Sequence, residues 1–271
     1  MARIRKHFML RTLPTILAVI GSVALQAQVS VGIRGGLNWA KFAAEDGIIQ
    51  ATEARMGPAV AIIVEVPLSE RLSLVPEIGF IQRGYAQEVR GGGLGNGYFY
   101  DPNGNLVWGY GYNSGPASFI RDYYMVLDYV DLAALAKFHL GSDPVRPHLL
   151  AGVTAGWMTG ARQYQVSTDG DKFDGEILDP HALKMNRLNL GLCGGAGFTF
   201  AIGASHLFAE GRYLYGFTNV WNGLLVTDIN GSKVGELNGY DRSIQFAVGW
   251  MLPVGKRGNG KGTPVVPAPI N

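Results

Sequence analysis

Eight charged residues lie in stretches where they alternate with bulky apolar ones. Arg34, Arg83, Lys137 and Arg212 are cationic, and Glu65, Glu77, Asp131 and Glu210 are anionic. In "VSVGIRGGLNWAKF", for example, Arg34 and Asn38 alternate with Val31, Ile33, Leu37 and Trp39. Charges withdrawn from water need partners, and four cations matched by four carboxylates have the composition of a cross-strand ion-pair network. The chemistry expected of such a set is mutual neutralisation inside a closed space, holding strands together, rather than an ion path. The sequence leaves open which carboxylate meets which cation.

Other chemistry has less footing. "STDGDKFDGE" supplies Asp169, Asp171, Asp174 and Glu176. A calcium loop of the EF type needs acids at positions one, three and five with Gly at six. Here the third acid falls at six, so the segment reads as a solvated acidic loop. His139, His148 and His206 fall near the ends of apolar–polar segments with no spacing that fixes a metal geometry, and no metal site is expected. Hydrolysis by a Ser-His-acid constellation would need those groups together in the long loops. Only His181 is there, without a serine motif, so no catalytic residue is expected. Cys193 is the single cysteine, which rules out an intrachain disulfide and suits a small apolar filler. No cofactor is expected.

One segment has the composition of a contact surface. "VRGGGLGNGYFYDPNGNLVWGYGYNSGPASF" contains Tyr98, Phe99, Tyr100, Trp108, Tyr110 and Tyr112 among Gly and Asn. Tyr, Gly and Asn together make adaptable binding loops. "DPNGN" at its centre reads as a tight hairpin turn.

The elements that carry these residues are strands. Apolar and polar positions alternate with period two in eight segments, covering roughly residues 29–42, 56–68, 72–85, 129–140, 147–158, 188–200, 206–217 and 243–252. Each has the length of a tilted strand that crosses a membrane. Their connections alternate in length: 69–71, 141–146 and 202–205 are short, whereas 43–55, 89–122, 166–187 and 218–240 are long. The apolar faces carry large residues, and the polar faces carry Gly and Ala beside the charges. An eight-stranded barrel has an interior just wide enough for side chains. Small and charged residues therefore belong inside and bulky hydrocarbon outside, against lipid. The fold class is all-β: an eight-stranded antiparallel up-and-down transmembrane β-barrel with short periplasmic turns and long extracellular loops.

The ends read differently. Residues 1–27 have the features of a secretory signal peptide, with Arg3, Arg5, Lys6 and Arg11 ahead of an apolar run too short to span a bilayer as a helix. Residues 28–253 form the barrel, and 254–271 form a flexible basic Gly/Pro-rich tail. Four of the 23 basic residues and none of the 21 acidic ones fall in the first 27, which leaves a net charge of −2. The tail holds Lys256, Arg257 and Lys261 and no acid, so the barrel itself carries −5. That balance gives nucleic-acid binding no electrostatic support.

The sequence resembles the PorT-like outer-membrane β-barrel proteins of Gram-negative bacteria. "VGIRGGLNWAKF" is similar to the family's first strand at Gly32, Arg34, Gly35, Gly36 and Asn38. "YVDLAALAKFHL" is similar to its middle strand at Tyr129, Asp131, Ala136 and Lys137, with Ala133 where the family often has Pro. "RPHLLAGVTAG" matches at Pro147, Ala151 and Gly152, and the last strands match at Gly195, Gly197, Glu210, Arg212, Tyr213, Gly216 and Asn219. The likeness runs over about residues 29–252. It implies an eight-stranded barrel in the cell outer membrane and little about activity.

The expected role is non-enzymatic: a barrel with a plugged lumen that binds, adheres or assists assembly through its long extracellular loops. The expected partners are outer-membrane lipid, the barrel assembly machinery during biogenesis, and an extracellular or secretion-system protein. Two alternatives stand beside it. One is an outer-membrane barrel enzyme acting on lipid or peptide. The other is a soluble lipocalin-like barrel binding an apolar ligand.

Overall fold

Side chains that alternate with period two can bury one face only as strands. The computed structural model describes residues 29–43, 52–90, 94–100, 106–112, 120–141, 144–167, 172–223, 225–227 and 233–254. Among these are thirteen strands: β1 (Val29–Ala43), β2 (Arg55–Pro67), β3 (Leu72–Arg90), β4 (Leu94–Tyr100), β5 (Leu106–Tyr112), β6 (Ile120–His139), β7 (Val145–Ser167), β8 (Lys172–Leu178), β9 (Leu188–Ile202), β10 (Ser205–Asn219), β11 (Leu225–Thr227), β12 (Lys233–Glu236) and β13 (Tyr240–Val254). The segments read as a signal peptide and a tail lie outside the described residues, apart from Val254 at the end of β13.

Eight strands close a ring in the order β1-β2-β3-β6-β7-β9-β10-β13 and back to β1. Every neighbouring pair in it is antiparallel. Each of the eight segments read from sequence is one ring strand. The stagger of the ring follows from the register. From Gly35 the paired positions run through Val60, Phe80 and Val130 to Trp157 on β7. In the other direction they run through Val248, Ala209 and Phe198 to Pro147, ten residues away on the same strand. Strands must tilt to close with such a stagger.

The wall has an apolar exterior and a polar interior. Ile62 and Phe246 are each 56% exposed, whereas Arg34 and Glu77 are 9% and 6% exposed. Exposed aromatics mark the two edges of the belt: Trp39, Trp157 and Tyr213 toward the long loops, and Phe138 and Trp250 toward the short turns. Val31 to Trp39 spans roughly 20 Å along the barrel axis at ~3.3 Å per residue and ~40° tilt, close to the ~25 Å apolar band of a barrel in a bilayer.

Three ring strands extend past this belt. β3, β6 and β7 continue to Arg90, back to Ile120 and to Ser167, and β8 pairs on β7 from Ala161 to Val166. The structure thus replaces part of the expected 89–122 loop with strand. Above the belt the wall no longer faces lipid, and apolar side chains turn inward. Tyr85, Met125, Leu127 and Tyr129 form a buried cluster with Trp221 and Leu237 from the long connections. Phe42 stacks edge-on against Trp221 at 5.3 Å between ring centroids. A second buried cluster, including Ile63, Val75, Leu135, Cys193, Phe208 and Met251, occupies the short-turn half.

Candidate functional site

The inward positions of five ring strands, β1, β2, β3, β6 and β10, bring the sequence-selected charges together in three groups. The central group joins β1, β3 and β10. Arg212 donates from Nη1 to Glu77 Oε2 at 2.8 Å and from Nη2 to Oε1 at 2.6 Å. Its Nη2 also lies 2.6 Å from Glu210 Oε1. Arg34 donates to the same Glu77 at 3.2 Å and to Gln245 at 2.9 Å. One carboxylate thus accepts from two guanidinium groups, a geometry in which charge-assisted bonds are strong.

The second group lies toward the short turns. Lys137 donates to Glu65 at 2.9 Å, and His139 Nε2 lies 3.0 Å from the other Glu65 oxygen. Lys137 Nζ also stands 5.7 Å from the centroid of the Phe208 ring. The third group lies toward the long loops. Arg83 pairs with Asp131 and, at 3.1 Å, with Asp241, and its guanidinium sits 4.8 Å from the Tyr129 ring centroid. Gly156 lets Asp131 approach the wall, because a Cβ there would fall 2.4 Å from Asp131 Oδ1.

Asp241 was not among the sequence-selected charges. Its inclusion makes five carboxylates in the three groups to four cations; Asp131 is partly exposed and the other four are buried. His148, 1% exposed, places its imidazole 3.6 Å from Glu210 and 3.2 Å from Thr199.

The arrangement suits charge neutralisation better than catalysis. Ser73, His139 and Glu65 adjoin one another, but Ser73 Oγ at 3.5 Å and Glu65 at 3.0 Å share His139 Nε2. A proton relay needs the acid on the opposite ring nitrogen. Among the described residues no group of three His, Cys, Asp or Glu could hold a metal ion. Cys193 is buried in the apolar cluster of the short-turn half. His181 lies on an exposed turn, where its N–H donates to Asp179 at 2.9 Å. Glu176 accepts a bond from Gln163 at 3.0 Å, and Asp169 and Asp171 lie outside the described residues.

The aromatic loop residues lie on two strands. Tyr98, Phe99 and Tyr100 belong to β4, and Trp108, Tyr110 and Tyr112 to β5. The two pair antiparallel with Tyr98 opposite Trp108, and β5 pairs in parallel with β11. The resulting four-stranded sheet has the order β12-β11-β5-β4. The turn at 101–105 and the side chains of these aromatics lie outside what is described.

A closed antiparallel ring with a lipid-compatible wall, short turns at one end and long connections at the other defines an outer-membrane β-barrel, with its short turns in the periplasm. The sequence profile described as "Outer membrane protein beta-barrel domain" matches residues 26–222, and the chain belongs to that family. The protein resides in the outer membrane. No curated protein matches it in sequence.

Among solved structures it is similar to Neisserial surface protein A, at 14% identity over 83% of this chain and 97% of that one, with a TM-score of 0.37. It is also similar to Ail of Yersinia pestis, at 13% identity over 83% and 99%, with a TM-score of 0.33. OprG of Pseudomonas aeruginosa shares 11% identity over 85% and 98%, with a TM-score of 0.37.

Proposed function

We propose that the protein is a non-enzymatic outer-membrane barrel of the PorT-like group. In this reading its lumen is occluded, and its extracellular sheet engages an extracellular or secretion-system protein. The observation that carries it is the filling of the interior. Three ion-pair groups and two apolar clusters occupy it, and the cavity beside Arg34, Glu77 and Arg212 holds about 30 Å³. That is room for about one water molecule. A barrel built this way offers its partners surfaces rather than a path. The barrel assembly machinery is its partner during insertion, and outer-membrane lipid thereafter.

Two measurements test the reading. The full-length protein in planar bilayers should give no stepwise conductance; regular ion-conducting events would overturn the occluded lumen. Photo-crosslinkers placed at Tyr100 or Trp108 in intact cells should capture one discrete protein. Capture of nothing but lipid from both positions would count against a protein partner.

A further inference from the structure

The outward face carries one feature that neither a lumen plug nor a loop contact needs. At the extracellular edge of the belt, the register sets Lys41 of β1 directly opposite Arg242 of β13, and Arg242 opposite Tyr215 of β10. The next outward row toward the membrane centre is Trp39, Ile244 and Tyr213, and the one below it is Leu37, Phe246 and Gly211. Like charges directly opposite each other on neighbouring strands are destabilising. Here no carboxylate intervenes. The groove between them, of about 230 Å³, is lined by Trp39, Lys41, Tyr213, Arg242, Ile244 and Phe246 among others, with no acidic residue.

Arg242 is held in place before any ligand arrives. Its guanidinium lies 3.6 Å from the centroid of the Tyr215 ring. Nη1 donates to the carbonyls of Gly216 at 2.6 Å and Asp241 at 2.8 Å. Nε and Nη2 have no hydrogen-bond acceptor among the described residues, and Lys41 has neither a hydrogen bond nor an ion pair among them. The neighbouring Asp241 carboxylate turns inward to Arg83.

We infer that this groove binds a phosphate-bearing lipid of the outer leaflet, with its phosphate between Lys41 and Arg242 and its acyl chains along Trp39, Ile244 and Phe246. The descending order of cations, aromatics and hydrocarbon matches that of headgroup, interface and chain in such a lipid. A pre-positioned guanidinium is suited to phosphate oxygens, and an ammonium beside it adds a point charge. The anion also removes the repulsion between the two cations. The site lies on the outer wall, so it stands whether or not the lumen is occluded or the loops hold a protein.

Native mass spectrometry of the full-length protein in detergent tests this. It would be titrated with bisphosphorylated lipid A, with a dephosphorylated lipid A of the same acyl composition, and with inorganic phosphate. Wild type should form a one-to-one adduct with the bisphosphorylated lipid about tenfold more readily than with the dephosphorylated one. Lys41→Gln breaks no hydrogen bond or ion pair among the described residues and should remove most of that preference; Arg242→Gln should remove it further. Equal binding of both lipids, or an undiminished preference in both variants, overturns the proposal. Binding of inorganic phosphate as tight as that of the lipid would make the pair an ion site and also overturn the lipid assignment.

Discussion

Arg212 grips Glu77 with both terminal nitrogens across the lumen, joining β10 to β3, strands that are not neighbours in the ring. Both side chains are about 3% exposed. Removing one partner of a buried pair leaves the other charge uncompensated, which costs ~3–5 kcal/mol, whereas replacing both with apolar groups of similar volume is often close to neutral. Arg212→Met and Glu77→Leu should each lower unfolding stability by about that amount. The double variant should lose less than the sum, by ~1–3 kcal/mol. Urea unfolding from phosphatidylcholine vesicles, read by the heat-dependent shift in gel mobility, measures all three. Strict additivity would mean the two groups do not act on each other.

Phe208 and Gly249 form a second dependent pair. A Cβ at Gly249 would lie 2.2 Å from Phe208 Cζ, so the phenyl ring takes its inward place only because position 249 lacks a side chain. Gly249→Ala should cost ~1–3 kcal/mol by overpacking. Shortening the ring with Phe208→Leu should recover most of that loss in the double variant, although the single Phe208→Leu change should itself be destabilising. The same unfolding assay checks this, and a double variant no better than Gly249→Ala would disprove the contact.

Most of the barrel was legible because lipid rewards a simple pattern. Within the belt most outward positions are bulky and apolar and most inward ones small or polar, so period two and residue size together reveal the strands. The pattern failed where lipid stops. Met125 and Leu127 point inward above the belt, where the outer face meets water and the soluble rule returns. Asp241 escapes for a related reason: the apolar–polar pattern is legible only from Ser243, whereas β13 begins three residues earlier at Tyr240, and its alternation puts Asp241 inward with Ser243 and Gln245. Phe208 escaped because a large apolar residue on the inward face contradicts the size rule, and only Gly249 on the neighbouring strand makes room for it. The partners within the charge network depend on which nonadjacent strands meet across the lumen, and no local pattern encodes that.

Ile62 tests the orientation of the wall itself. It is 56% exposed, faces outward beside Ile33 and Ile78, and lies close to the middle of the belt. Met56 also faces outward, opposite Trp39 at the extracellular edge. An arginine costs ~2–4 kcal/mol at the midplane of a bilayer and ~0–1 near its interfaces. Ile62→Arg should therefore destabilise the folded protein in vesicles by ~2–4 kcal/mol, and Met56→Arg by less than ~1. In detergent micelles, whose surface adapts to the charge, the gap between the two should narrow. If Ile62→Arg were as harmless as Met56→Arg in vesicles, the exposed apolar face would not be in contact with hydrocarbon, and the barrel would have to stand in water.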